Sequence, residues 1–214
     1  MDKSIVASLR KSYVLNELLE QNVSESPISQ FKLWFKDALE SEIIEPNAMV
    51  LSTVKDDKPS ARVVLLKGFD ESGFSFFTNY NSHKGKDIKQ NPFAALTFFW
   101  DVMERQVRIE GKIEKLSAAE SDTYFWSRPR ESQIGAWVSE QSAVIESRGV
   151  LDQSLDFYIK KFNDLEIIPR PAHWGGFLLR PSAIEFWQGR QSRLHDRILY
   201  SFSSGIWKIS RLSP

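Results

Sequence analysis

Nine short runs of β-branched and aromatic residues limit this chain more than any other feature. They are AMVLSTV (48–54), ARVVLLKGF (61–69), GFSFFTN (73–79), FAALTFFW (93–100), RQVRIEGKIEKL (105–116), HWGGFLLRP, AIEFWQ, RLHDRILYSF and GIWKISRL. Such residues fit the pleated, half-buried surface of a strand, and Asp56-Asp57-Lys58-Pro59 and Asp70-Glu71-Ser72-Gly73 supply turn chemistry between them. Helical spacing is rarer. ISQFKLWFKDALESEII (28–44) places Phe31, Trp34, Phe35 and Leu39 at helical intervals and stops ahead of Glu45-Pro46. Ser117 and Glu120 form a capping box that opens a helix closing near Pro129. RGVLDQSLDFYIKKF (148–162) is another amphipathic helix, and residues 4–20 read as a polar helix or arm. Short, mostly antiparallel strands with few helices predict a mainly β fold with peripheral α-helices. A closed or partly split β-barrel is the expected architecture, because closure removes unpaired sheet edges.

The 214 residues suit one domain over 1–214, with 1–20 as a mobile N-terminal arm, and are enough to bury a sizeable core. Lys and Arg (28) balance Asp and Glu (28), so no global field draws the chain to nucleic acid or anionic lipid. Any bound anion must be gripped by a local cluster. The absence of Cys removes disulfides, Cys-ligated zinc, iron–sulfur clusters and thiol nucleophiles together. With only His83, His173 and His195, no metal site is expected. The start MDKSIVASLR lacks the apolar stretch of a signal peptide, and no run approaches the ~18 apolar residues of a membrane span, so a soluble, cytoplasmic protein is expected.

The common phosphate and nucleotide signatures are missing. No G-x-G occurs, neither Gly85-Lys86 nor Gly111-Lys112 completes a P-loop, and G-x-S-x-G and H-E-x-x-H are absent. A phosphate ligand would need side chains, helped by a helix N-terminus. NSHKGKDIKQNP (81–92) leaves a strand, offers Asn81 or Ser82 as N-cap and sets Lys84 beside free helix N–H groups; a solvated basic turn would look the same. In ARVVLLK (61–67), Arg62 and Lys67 fall on opposite faces of a regular strand, so they share a ligand only at a bulge or if one acts from the strand's end.

Two further stretches carry charge. In YFWSRPRESQIGAW (124–137), Tyr124 and Arg128 are i, i+4 neighbours on the capped helix, Pro129 stops it, and Ser132 follows after a turn. An Arg fork, a phenol and a hydroxyl together suit a phosphate monoester, and a structural pair on a surface helix explains the first two equally well. EQSAVIESR (140–148) adds Gln141 and Ser142, which a plain helix cap would also explain. If the second half of EFWQGRQSRLHDR (185–197) is a strand, Arg193, His195 and Arg197 stand in a row on one face, too much charge to bury against apolar packing.

Together these stretches resemble a known family, pyridoxine (pyridoxamine) 5′-phosphate oxidase, an FMN enzyme of the split-barrel flavoprotein class. The resemblance runs from about residue 10 to the C-terminus and rests on RVVLLK, FFTNYNSHKGK, RQVRIEGK, YFWSRPRESQIGAWVSEQS, HWGGF, EFWQGRQSRLHDRILY and WKISRLSP in that order. It implies an FMN-binding split barrel that is a homodimer with FMN in the subunit interface, some groups coming from the partner chain. For FMN it implies Arg62, Val63, Val64, Leu65, Leu66, Lys67, Phe77, Thr78, His83, Lys84, Gln106, Gln141, Ser142, Trp187 and Arg197. For the substrate phosphate it implies Lys67, Tyr124, Arg128 and Ser132. For the pyridine end it implies Arg193 and His195 as the catalytic pair, and for a mobile lid Arg10, Lys11, Ser12 and Tyr13. The family usually has Arg where this chain has His83, so one phosphate contact passes to a titratable group.

The implied reaction oxidises the 4′ carbon of pyridoxine or pyridoxamine 5′-phosphate to the aldehyde, giving pyridoxal 5′-phosphate in vitamin B6 cofactor biosynthesis and salvage. A hydride passes to FMN N5, dioxygen reoxidises the flavin with release of hydrogen peroxide, and the amine also yields ammonia. Arg193 cannot be a base near neutrality, since a guanidinium pKa exceeds about 12, so its expected role is orientation and electrostatic stabilisation. His195 has an imidazole's capacity to exchange a proton. Two alternatives share part of the pattern. Another split-barrel flavin reductase would not need Tyr124, Arg128, Ser132, Arg193 and His195 together, and a non-catalytic FMN or pyridoxal-phosphate-binding protein could keep every binding residue.

Overall fold

Turn chemistry and strand propensity place the elements as follows in a computed structural model that describes residues 3–9 and 12–214. The order is α1 (Lys3–Ser8), α2 (Pro27–Glu40), β1 (Ala48–Lys55), β2 (Lys58–Leu65), β3 (Gly68–Asp70), β4 (Gly73–Asn79), α3 (His83–Gln90), β5 (Phe93–Trp100) and β6 (Arg105–Lys115). Then follow α4 (Ala118–Ser127), α5 (Arg130–Val138), α6 (Arg148–Phe162), β7 (Trp174–Gln188), β8 (Asp196–Ser203) and β9 (Ile206–Arg211). The strands form one sheet in the order β2-β1-β5-β6-β7-β4-β3, with β8 on β7 and β9 on β8. The pairs β3–β4, β4–β7, β7–β8 and β8–β9 are antiparallel. The mainly β fold with peripheral helices is therefore as the sequence predicts. Among the described residues no helix is long and apolar enough to cross a membrane.

Several boundaries differ from expectation, each for a local reason. Asp56 and Asp57 both take positive φ (50° and 59°), the conformation of a two-residue hairpin turn, so β2 starts at Lys58. Pro59 is tolerated there because β2 ends the sheet's order. The 61–69 run splits, with β2 ending at Leu65 and β3 resuming at Gly68. HWGGFLLRP and AIEFWQ are one strand, not two. Leu179 is the last β7 residue paired with β4 and Ala183 the first paired with β8, so Pro181 falls where neither ladder asks for its missing N–H. The stretch after Pro129 is a further helix, α5, not a turn: proline ends one helix and starts the next with equal ease. Among the described residues of the 4–20 stretch, the α-helix is confined to α1, which ends at Ser8, and a 3-10 turn begins at Glu20.

By contacts the chain groups into two compact units, one made of Met1–Met49, Leu96–Glu110 and Pro181–Pro214, the other of Val50–Ala95 and Gly111–Arg180. In the first, Ser26 caps α2 by accepting the Ser29 N–H (3.3 Å), with Pro27 at the first helical position. The buried face of α2 presents Ile28, Phe31, Trp34 and Ala38, while Leu39, expected on that face, is 60% exposed. Phe31 meets Phe98 at 5.2 Å between ring centroids, Trp34 meets Phe186 edge-on at 5.2 Å, and Phe186 meets Tyr200 at 5.6 Å. Burying each such ring contributes about 1.5–3 kcal/mol. The Tyr200 hydroxyl donates to Ser24 O (2.6 Å), and burial pushes its pKa up to about 12.

The second unit buries Leu51, Phe74, Phe76, Ile88, Ile113 and Leu179. Beside them lies a cluster of Phe125, Ile134, Ala136, Phe162, Ile168 and Trp174, to which α4, α5 and α6 all contribute. The capping box of α4 is present as expected: the Ser117 hydroxyl accepts the Glu120 N–H while the Glu120 carboxylate accepts the Ser117 N–H.

Candidate functional site

In the Val50–Ala95/Gly111–Arg180 unit, the start of α3 forms a polar cradle. Ser82 is the N-cap, its Oγ accepting the Gly85 N–H (3.3 Å) and donating to Asn79 O (2.7 Å). Gly85 is required, since a Cβ there would stand 2.2 Å from Tyr80 O. Lys84 Nζ donates to Gln141 Oε1 (2.9 Å) and Thr78 Oγ1 (3.3 Å), and Thr78 Oγ1 donates to Gln141 Oε1 (2.9 Å). Burial, then the nearby Arg62 charge, pull the Lys84 pKa down. The ammonium is thus held by neutral oxygens beside a second cation.

Arg62 is mostly spent on structure. Its Nη1 donates to Thr53 Oγ1 (2.7 Å), Leu51 O (3.2 Å) and Ser60 O (3.2 Å), and its Nη2 to Ser60 Oγ (2.6 Å). Burial lowers its pKa, opposed by Asp87. Asp87, 1% exposed, accepts from Thr53 Oγ1 (2.8 Å) and lies 3.6 Å from Arg62 Nη2 and 3.2 Å from His83 Nδ1. Its Oδ1 is buried without a hydrogen-bond partner among the described residues. His83 thus sits one turn above a carboxylate, with its side chain 65% exposed. Lys67 stands beyond the end of β2, its N–H donating to Ser75 O (2.9 Å), so strand alternation no longer separates it from Arg62. Between them Val63 is 66% exposed and Leu66 is in the core, with Val64 and Leu65 half-buried.

The opposite face of β4 carries an aromatic stack, as neighbouring strand residues must face opposite ways. Phe77 stacks on Tyr124 (3.8 Å, 21°) and Trp174 (5.7 Å, 19°). Arg128 lies over the Trp174 ring, its guanidinium carbon 4.6 Å from the centroid. It is not an i+4 residue within α4, as the sequence suggested, but the extended C-cap (φ −79°, ψ 151°), so Pro129 behind it redirects the chain into α5. Its Nη1 is buried with no partner among the described residues, and burial lowers its pKa. Ser132 lies in the first turn of α5, half-buried. Ser142 takes positive φ (74°) in the exposed turn beside Gln141.

The other unit holds the remaining candidates, and here the expected row fails. Gln191–Arg193 is a 3-10 turn in which Ser192 (φ 55°) and Arg193 (φ 62°) are left-handed, and β8 starts only at Asp196. Arg193, His195 and Arg197 therefore do not alternate on one strand face. His195 instead packs against Trp187 (4.6 Å) and Tyr13 (5.7 Å), and its Nδ1 accepts the Arg190 N–H (3.0 Å). That bond puts the neutral ring's proton on Nε2. Burial, then the Arg193 charge, lower the His195 pKa, favouring this neutral form. Leu9, Ser12, Tyr13, Arg190, Ser192, Arg193 and His195 line a cavity of about 700 Å³. Arg197 turns away to Glu185 (2.7 Å) and Ser213 O (2.8 Å), and Glu185 also takes Arg108 (3.2 Å). Gln106 is half-buried on β6. Arg10 and Lys11 lie outside the described residues.

The structure thus assembles Thr78, Lys84 and Gln141; Phe77, Tyr124 and Arg128; and Ser12, Tyr13, Arg193 and His195. Sequence reasoning missed Asp87, Thr53 and Glu104. Only Asp87 left a local sign, its i, i+4 spacing from His83 on α3.

Known proteins match over the same stretches. A family model for pyridoxamine 5′-phosphate oxidase matches residues 35–156, and one for the pyridoxine 5′-phosphate oxidase C-terminal dimerisation region matches residues 174–214. A pyridoxine/pyridoxamine 5′-phosphate oxidase from Nostoc punctiforme is 59% identical and covers 100% of both chains. One from Cupriavidus pinatubonensis is 57% identical, covering 98% of this chain and 99% of that one. Among solved structures, PhzG from Burkholderia lata, in complex with tetrahydrophenazine-1-carboxylic acid, superposes with a TM-score of 0.87 at 27% identity, covering 94% of this chain and 99% of that one. A pyridoxamine 5′-phosphate oxidase-related, FMN binding protein from Nostoc punctiforme shares the fold, with a TM-score of 0.70 at 18% identity, covering 90% of this chain and 100% of that one. The fold is the split barrel that the sequence predicts. Both family regions occur here in order, and relatives above half identity span the whole length; the chain belongs to the pyridoxine/pyridoxamine 5′-phosphate oxidase family of FMN-dependent oxidoreductases.

Proposed function

We propose that the protein oxidises pyridoxine 5′-phosphate and pyridoxamine 5′-phosphate to pyridoxal 5′-phosphate as a cytoplasmic homodimer, with FMN at the subunit interface. The alcohol and dioxygen give aldehyde and hydrogen peroxide; the amine, dioxygen and water give aldehyde, ammonia and hydrogen peroxide. Arg128 carries the reading. A half-buried guanidinium whose Nη1 is buried and unpartnered among the described residues is costly until an anion takes it, and this one rests on an aromatic stack containing Tyr124. A phosphate borne on a heteroaromatic ring supplies both the charge and the flat surface. Tyr124, Ser132 and Lys67 complete that phosphate's hydrogen bonds in this reading.

The α3 cradle fits FMN. Lys84 is a half-buried ammonium bonded only to neutral oxygens where its bonds are described, at a capped helix start, which suits a phosphate dianion. Thr78 and Gln141 would hold it with Lys84, Arg62 acting mainly by its charge. When bound, FMN supplies the two-electron acceptor that dioxygen regenerates. His195 acts as a neutral donor through Nε2–H, because Nδ1 is committed to the Arg190 N–H. Arg193, always charged, orients the reacting end. Oxygen uptake with pyridoxine 5′-phosphate is the test, with one hydrogen peroxide per oxygen consumed and little uptake on phosphate-free pyridoxine. Tight binding without oxygen uptake would leave a carrier; flavin reduction by a nicotinamide would leave a reductase.

A further inference from the structure

Glu104 is a buried acid with no place in the chemistry above. It is 1% exposed and left-handed (φ 55°) at the entrance to β6. Its Oε2 accepts two successive main-chain N–H groups of the N-terminal arm, Val14 (2.8 Å) and Leu15 (3.1 Å). Its own carbonyl accepts the Gly189 N–H (2.7 Å) and Gln188 Nε2 (3.2 Å), at the end of β7. One residue therefore ties the arm to the turn that leads to His195. The Val14 and Leu15 side chains, 60% and 52% exposed, contribute little apolar burial, and the arm's next anchor is Leu18, a buried side chain whose N–H donates to Asp196 Oδ2 (3.1 Å).

The consequence falls on Tyr13. Its ring lies edge-on to Trp187 (5.6 Å) and beside His195 (5.7 Å). The fit to Gly189 is so close that a Cβ there would come within 2.6 Å of the ring. Two adjacent N–H groups on one carboxylate oxygen fix the arm's register to a single residue, which an apolar contact could not do. A slip of one residue would carry Tyr13 off Gly189.

We propose that Glu104 is a positioning residue for the substrate pocket: it clamps the arm so that Tyr13 forms a wall against Trp187 and His195. This rests on the reading that His195 faces substrate. The clamp governs how long substrate stays, not the speed of its oxidation.

Hydrogen exchange on the holoenzyme tests the clamp, and steady-state kinetics test its use. In Glu104→Ala the Val14 and Leu15 amides should exchange at least about tenfold faster, the worth of hydrogen bonds to a charged group. KM for pyridoxine 5′-phosphate should rise about tenfold with kcat within about twofold. Glu104→Gln, which still offers an oxygen to both N–H groups, should recover most of both losses; if the alanine variant does not fold, Glu104→Asp, whose shorter side chain withdraws the oxygen from both N–H groups, takes its place with the same expected losses. In a Tyr13→Ala background the same substitutions should add nothing further to KM. Unchanged exchange in Glu104→Ala, or in Glu104→Asp where it stands in, overturns the clamp. A KM penalty that persists without Tyr13 overturns its action through the wall. A wild-type protein that shows the exchange change on mutation but consumes no oxygen refutes the oxidase reading while leaving the clamp standing.

Discussion

The start of α3 and the turn after β7 both gather polar groups, and they hold them in opposite ways. At α3, the charged and hydroxyl groups stand on regular elements, Lys84 on the helix and Thr78 on β4, with Ser82 capping one to the other, and only Gln141 reaches in from a turn. Their positions are fixed by ladders and helix bonds that would exist without a ligand. At the turn, His195 follows two left-handed residues without glycine's freedom, and Tyr13 arrives on an arm tied by the carboxylates of Glu104 and Asp196. Left-handed non-glycine residues cost on the order of 1 kcal/mol each, so this geometry persists only because neighbours impose it. A cofactor that stays suits the first arrangement; a substrate that comes and goes suits the second.

The largest test of that contrast is Lys84→Met. It keeps the aliphatic stem but removes the charge, so FMN should bind about a hundredfold more weakly by fluorescence titration, with pyridoxine 5′-phosphate KM at saturating FMN little changed. A purely substrate-side effect would dissolve the division. Next is Gly85→Ala, whose Cβ must displace Tyr80 O. It should cost about 2 kcal/mol, or a melting temperature lower by about 5 °C, together with weaker FMN binding. Normal stability would mean the helix start is not rigid.

On the turn side the effect is one of pH. The folded-state pKa of His195 is depressed, so the neutral ring and its Arg190 bond are fully present above the ordinary value of 6.5 and are lost as pH falls through the lowered one. kcat/KM should therefore fall only on the acid side, with a midpoint below 6.5. His195→Gln, which cannot titrate, should lose that limb at reduced activity. A midpoint above 6.5 in the wild type rules out the neutral donor. The smallest effect is Ser192→Gly, which relieves one left-handed residue and should stabilise by about 0.5 kcal/mol in urea unfolding. Destabilisation would show that the Ser192 side chain holds the turn.

Strands, the α4 capping box and the polar end of α3 could be read from the sequence because each is a local pattern. What escaped depends on partners far along the chain. Pro181 looked like a strand end, yet it falls between the residues that β7 pairs with β4 and those that it pairs with β8. Pro129 gave one sign for two meanings, the end of α4 and the start of α5. The Arg193–His195–Arg197 row assumed alternation across residues that turn left-handed without a Gly or Asn to announce it. Lys84 was named from the local pattern and Thr78 from the resemblance, but their meeting with Gln141 links groups 57 and 63 residues apart, which no spacing displays. Glu104 is further removed, 90 residues from the N–H it holds.

The chain's last residues lie along β8: the Leu212 N–H donates to Arg197 O (2.9 Å), just past the pairing of Ile198 with Arg211, and Ser213 O accepts from Arg197 Nη1 (2.8 Å). This matters for handling the protein at the bench. An affinity tag or surface tether fused directly after Pro214 pulls on the brace that, with Glu185, aims Arg197. The Ser204-Gly205 tip between β8 and β9, exposed and already left-handed, takes an inserted linker without touching that brace.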